Sequence, residues 1–136
     1  MVHPRRFAVS LLTVLLLAAA GCEGTPQVKV LSRASFVLDA EKKKTTVATH
    51  VAEEVTLQLP PIPVAGYHWQ IFAHDARFLK QTSEITAPQG PERISSVRFV
   101  ALRQVPRTLV RFLLIKESEA KETQPIDEHD VTVTIK

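Results

Sequence analysis

Short apolar segments that alternate residue by residue, each cut off by proline or glycine, limit what this chain can fold into. Val55-Thr56-Leu57-Gln58-Leu59 puts three apolar side chains on one face and stops at Pro60-Pro61-Ile62-Pro63. A period of two belongs to a strand with one buried face. Proline has no N–H to donate to a sheet ladder, so the strand ends there. The same alternation sets Tyr67, Trp69 and Ile71 against His68, Gln70 and Phe72, and recurs in Val97, Phe99 and Ala101 and in Val110, Phe112 and Leu114. Val131-Thr132-Val133-Thr134-Ile135 carries the highest β-propensity of the chain and predicts the closing strand. Residues 35–39, 45–51 and a stretch within 77–85 predict three more strands. Ala40-Glu41-Lys42-Lys43-Lys44 reads as a solvated turn, Pro88-Gln89-Gly90-Pro91 as a loop and Val105-Pro106-Arg107 as a further break. Helical turns are conceivable only at residues 74–80 and 117–122, and neither carries a helical apolar stripe. Strands at regular spacing with turns between them predict an all-β, antiparallel sandwich or barrel.

The single cysteine, Cys22, excludes an internal disulfide, so core packing must hold the fold. It also ends a leader. Arg5 and Arg6 form a positive n-region, and an apolar run over residues 7–20 is interrupted only by Ser10 and Thr13. That run is short of the ~20 apolar residues a membrane-spanning helix needs. Ala18-Ala19-Ala20-Gly21-Cys22 resembles the cleavage site of bacterial lipoproteins, which implies that Cys22 becomes the lipid-bearing first residue of the mature chain. The expected organisation is a signal peptide over residues 1–21, a lipid-anchored tether over 22–33 and one β-sandwich domain over 34–136. The expected location is the bacterial cell envelope, on the periplasmic or outer face. Glu23 after the cysteine, rather than aspartate, leans towards the outer membrane by the same resemblance.

Without the leader, 15 basic residues face 14 acidic ones, and the near-neutral balance gives no case for nucleic acid. The four histidines of the mature chain, His50, His68, His74 and His129, lack a second thiol or the HExxH spacing of a zinc site. Asp127-Glu128-His129-Asp130 has the composition of a cation site but neither the glycine nor the spacing of a calcium loop, and reads as a solvated loop before the last strand. With no phosphate loop or nucleophile elbow, the chain is expected to be no enzyme and to hold no metal or cofactor.

One segment stands above this background. Leu59-Pro60-Pro61-Ile62-Pro63-Val64-Ala65-Gly66-Tyr67-His68-Trp69 resembles the signature loop of the chagasin family, in which a strand ending in Leu-Pro leads to Asn-Pro-Thr-Thr-Gly-Tyr, one free residue and Trp. Pro63, Gly66, Tyr67 and Trp69 fall on that pattern, while Ile62 replaces the asparagine and Val64 and Ala65 replace the threonines. Val97-Arg98-Phe99-Val100-Ala101 resembles the family's Phe-x-Phe-x-Ala strand. Lys116, Glu117 and Ser118 stand where the family has Arg-Pro-Trp. The resemblance implies an immunoglobulin-like sandwich that reversibly inhibits papain-like cysteine peptidases by occluding the active-site cleft. It implies a binding loop of Pro63, Val64, Ala65, Gly66, Tyr67 and Trp69, with secondary contacts near Gly90 and Lys116. The three loops would be residues 60–66, 88–95 and 116–127. Spacing by two predicts that Tyr67 and Trp69 point into the core, leaving residues 62–65 to make the contacts. The lost threonines and the altered Arg-Pro-Trp loop support a second reading: a non-inhibitory binding or structural module of the envelope, with another envelope protein as partner.

Overall fold

The computed structural model describes residues 28–117 and 124–136. Eight strands follow one another: β1 (Ser32–Val37), β2 (Lys44–Thr49), β3 (Glu53–Gln58), β4 (Tyr67–Ala73), β5 (Leu79–Gln81), β6 (Ser96–Ala101), β7 (Val105–Lys116) and β8 (Asp127–Ile135). They form two four-stranded sheets, β1-β3-β6-β5 and β2-β8-β7-β4. This is the immunoglobulin-like sandwich implied by the resemblance. The central pairings are antiparallel, and each sheet also has one parallel pair at an edge, β1 with β3 and β2 with β8. One N-terminal stretch supplies an edge to both sheets: β1 lines the first, and after the turn at Asp39, β2 crosses to the second. β1 begins at Ser32, two residues ahead of the expected domain start.

Alternation builds the core. Val55 and Leu57 of β3, Val97, Phe99 and Ala101 of β6, Val110, Phe112 and Leu114 of β7, and Val131, Val133 and Ile135 of β8 meet between the sheets. Trp69, 2% exposed, is among the largest side chains they enclose. His74 sets its ring edge against Phe99, with centroids 5.5 Å apart.

Two expectations are corrected. Pro106 does not break the chain, because β7 runs through it. The β7–β8 register shifts between Val105 and Thr108, so the missing N–H falls in an irregularity of the ladder. The Pro106 carbonyl accepts from Thr134 Oγ1 at 3.0 Å. Asp127-Glu128-His129-Asp130 is not a loop but the start of β8. Arg111, opposite Asp130 in the ladder, bonds both its oxygens at 2.8 and 3.0 Å and reaches Glu128 at 3.2 Å. His129 turns inward.

Candidate functional site

Strand direction brings three loops to one pole of the sandwich. Gln58, the last residue of β3, lies opposite Ser96, the first of β6, and Tyr67, the first of β4, lies opposite Lys116, the last of β7. The β3–β4, β5–β6 and β7–β8 connections therefore leave from the same end. They contain the three segments that the family resemblance implies as contact loops.

Main-chain hydrogen bonds tie these loops together. Leu59 N–H donates to the Ser95 carbonyl at 2.9 Å, and Ile62 N–H donates to Arg93 at 3.3 Å. On the other side, Glu117 N–H donates to the Gly66 carbonyl at 2.9 Å. The β3–β4 loop is thus held from both flanks. The indole N–H of Trp69 donates to the Pro60 carbonyl at 2.9 Å in a buried setting. That bond satisfies an acceptor that burial would otherwise strand. Prolines 60, 61 and 63 in one loop and 88 and 91 in the next restrict the backbone further. Gly66 has φ +87° and no atom within 4 Å of where a Cβ would stand, so the tip turns there in a conformation that side chains disfavour. The neighbouring loop is closed by paired 2.9 Å bonds between Gln89 and Ile94, around a turn with Gly90 at φ +74° and Arg93 at φ +55°.

The structure divides the expected contact residues. Pro63, Val64, Ala65 and Gly66 are exposed at the tip, with Val64 51% exposed. Gly90 and Lys116 are exposed beside them. Tyr67 is half-buried against the core. Trp69 lies in the core and positions the loop through Pro60, so it presents no contact surface. Ile62, expected to share the contacts of residues 62–65, is corrected to a core residue at 3% exposure. An isoleucine at this point gains burial that a polar side chain would lose. Ser118 and Cys22 lie outside the described residues.

Two features escaped the sequence. Ile126, at the far side of the β7–β8 connection, is 49% exposed at this pole and adds apolar surface beyond Val64. A lone isoleucine in a polar stretch gives no periodic signal. Beneath the pole, His129 is 2% exposed with Nε2 3.0 Å from Thr45 Oγ1, linking β8 to β2. Burial pushes its imidazole below the usual value, against the upward pull of Asp127 and Asp130. Lys43 pairs with Asp127 at the same edge, which gives one member of the lysine run a specific partner. Among the described residues, no group of three or more His, Cys, Asp or Glu side chains is placed to hold a metal ion. The tip therefore offers apolar side chains and main-chain groups on a braced loop, chemistry for filling a cleft.

Likeness to solved structures extends over this whole body. The cysteine protease inhibitor EhICP2 from Entamoeba histolytica superposes with a TM-score of 0.60 at 19% identity, over 78% of this chain and 98% of that one. Amebosin superposes with a TM-score of 0.51 at 13% identity, over 77% of this chain and 97% of its own. PbICP-C, solved in complex with falcipain-2, gives 0.48 at 11% identity, over 75% and 98%. No family model and no curated protein matches the sequence. At 19% identity the likeness to EhICP2 establishes a shared fold: the chain has the sandwich on which that cysteine protease inhibitor is built.

Proposed function

We propose that this protein is a reversible, non-catalytic inhibitor of papain-like cysteine peptidases, tethered to the bacterial envelope by a lipid on Cys22. The observation that carries the reading is the bracing of the β3–β4 loop, between Arg93 and Ser95 on one side and Glu117 on the other. Rigidity of this kind lowers the entropy lost on binding. It also keeps the loop from adopting the extended form that a peptidase cleaves. Val64 and Ala65 would enter the cleft, with Lys116 and Ile126 contacting its rim. The EhICP2 likeness supports the reading at the level of fold.

The test is a titration of the mature protein against papain and a cathepsin L-type peptidase, in parallel with Gly66→Trp. A Cβ at Gly66 meets no neighbour within 4 Å, so that variant adds bulk at the tip at the cost of its left-handed backbone, and circular dichroism checks that it folds. Competitive inhibition by the wild type and its loss in a folded Gly66→Trp variant support the proposal. Equal inhibition by both removes the loop from the mechanism.

The apolar tip also favours a second reading. Val64 and Ala65 stand where the family carries hydroxyls, and a lost hydrogen bond costs about 0.5–1.5 kcal/mol. A non-inhibitory module would use the same pole to bind another envelope protein. Cross-linking in cells that recovers only envelope subunits, with no inhibition in vitro, selects that reading.

A further inference from the structure

The pole opposite the loops is where the chain enters the sandwich. Leu31 N–H donates to the Ala52 carbonyl at 2.9 Å, Ala52 N–H to Ala101 at 2.8 Å, and Val51 N–H to Lys136 at 3.1 Å. The approach to β1, the β2–β3 turn, the end of β6 and the end of β8 therefore lie side by side. Apolar side chains project there: Leu31 is 69% exposed, Val51 40% and Val28 36%. Lys29, Arg103 and Arg107 are exposed around them, and none has a carboxylate within 4.0 Å among the described residues. Of the carboxylates at this pole, Asp75 is neutralised by a cation, whereas Glu53 keeps its charge and is held by hydroxyls. Glu53 accepts from Thr49 at 2.7 Å and Ser32 at 2.9 Å, and Asp75 is paired with Arg77 at 2.6 Å. The loop pole, by contrast, exposes charges of both signs, with Glu41, Glu84, Glu92 and Glu117 beside Lys42, Lys44 and Lys116.

Apolar side chains among unpaired cations match the interface of an anionic bilayer, where the former enter the headgroup boundary and the latter meet phosphates. We infer that this pole is a docking surface for anionic phospholipid headgroups, and that it seats the sandwich with its loop pole turned away from the membrane. The inference of orientation rests on the reading of Cys22 as lipid-bearing. The nine residue steps from Cys22 to Leu31 reach ~30 Å at most when fully extended. A lipid on Cys22 thus keeps this pole near the bilayer, but a tether alone leaves the body free to tilt. Docking removes that freedom and presents residues 63–66 to the surroundings.

The sole cysteine makes the test clean, because a lipid carried on its sulfur as a thioether blocks it and one introduced thiol then carries the label. Full-length protein is expressed with Gln104→Cys or Ala65→Cys, purified from membranes, labelled with a fluorophore and reconstituted into phosphatidylcholine vesicles with and without phosphatidylglycerol. Quenching by a headgroup nitroxide lipid is then read. The expected result is strong quenching at position 104 that depends on phosphatidylglycerol, and little at position 65. Each basic residue near an anionic surface strengthens attachment about fivefold, so Arg103→Gln with Arg107→Gln lowers the docked-to-undocked ratio about 25-fold. Equal quenching at both positions overturns the inference. So does quenching at 104 that ignores both lipid charge and the double variant. Intact mass of the same samples reports lipidation separately. A lipidated chain without the contrast refutes docking alone, and an unlipidated chain that keeps the contrast, once Cys22→Ser has removed its second label site, refutes the lipid anchor alone.

Discussion

Replacing Trp69 by phenylalanine isolates the bond that braces the candidate binding loop. Trp69 is 2% exposed, and its N–H is 2.9 Å from the Pro60 carbonyl in a buried setting. Phenylalanine keeps an aromatic ring in the core but leaves that carbonyl without its donor. A buried acceptor stripped of its partner costs about 1–3 kcal/mol. The smaller ring also leaves a void of roughly 40 Å³, which at about 24 cal/mol per Å³ adds about 1 kcal/mol. The sum, about 2–4 kcal/mol, is a large share of the roughly 5–15 kcal/mol that holds a domain folded. Urea unfolding followed by far-ultraviolet circular dichroism measures it, since the variant has no tryptophan to report fluorescence. Amide exchange at Leu59 and Ile62, whose N–H groups hold the loop to Ser95 and Arg93, is expected to rise more than in β7 or β8, because the bond anchors the loop locally. A loss below about 0.5 kcal/mol, the usual scatter of neutral surface changes, refutes the reasoning. Unchanged exchange in the loop refutes it independently.

Three other perturbations follow from the same geometry. Gly66→Ala meets no neighbour, so its cost is the left-handed backbone alone, about 1–2 kcal/mol in a thermal or chemical melt; a larger loss would reveal packing that the open surroundings exclude. Ile62→Asn restores the family residue but puts an amide into the core, and is expected to destabilise by about 3 kcal/mol in urea, with no gain in inhibition. His129, with its folded pKa below the unfolded value of 6.5, contributes stability that is complete above that value and falls as pH drops through it. His129→Gln removes the titration, so the difference in Tm between wild type and variant should shift against the wild type from about pH 7 to about pH 5; a pH-independent difference contradicts this.

Period-two alternation made the inward faces of β3, β4, β6, β7 and β8 legible, because each has one buried side. The edges were less so. β1 starts at Ser32, and its register depends on a parallel partner, β3, that lies 21 residues away in the chain. The start of β8 was hidden because its outward charges look like a loop until Arg111 and Lys43 are seen opposite them. At the candidate site, the Gly-Tyr-x-Trp spacing located the loop. The split between Val64 outside and Ile62 inside was not readable, because neither proline-flanked residue belongs to a periodic run. The joining of the three loops was implied by family resemblance, whereas the bonds that join them are main-chain to main-chain and leave no mark on residue identity.

The central claim is that the loop pole fills a peptidase cleft, and the most direct measurement is binding to papain with its cleft open or already filled. Mature protein is titrated by calorimetry into papain whose catalytic cysteine carries either a small blocking methylthio group or a covalent peptide that occupies the cleft. The account predicts sub-micromolar binding to the first and none to the second. Equal binding to both forms, or no binding to either by a folded protein at tens of micromolar, contradicts it.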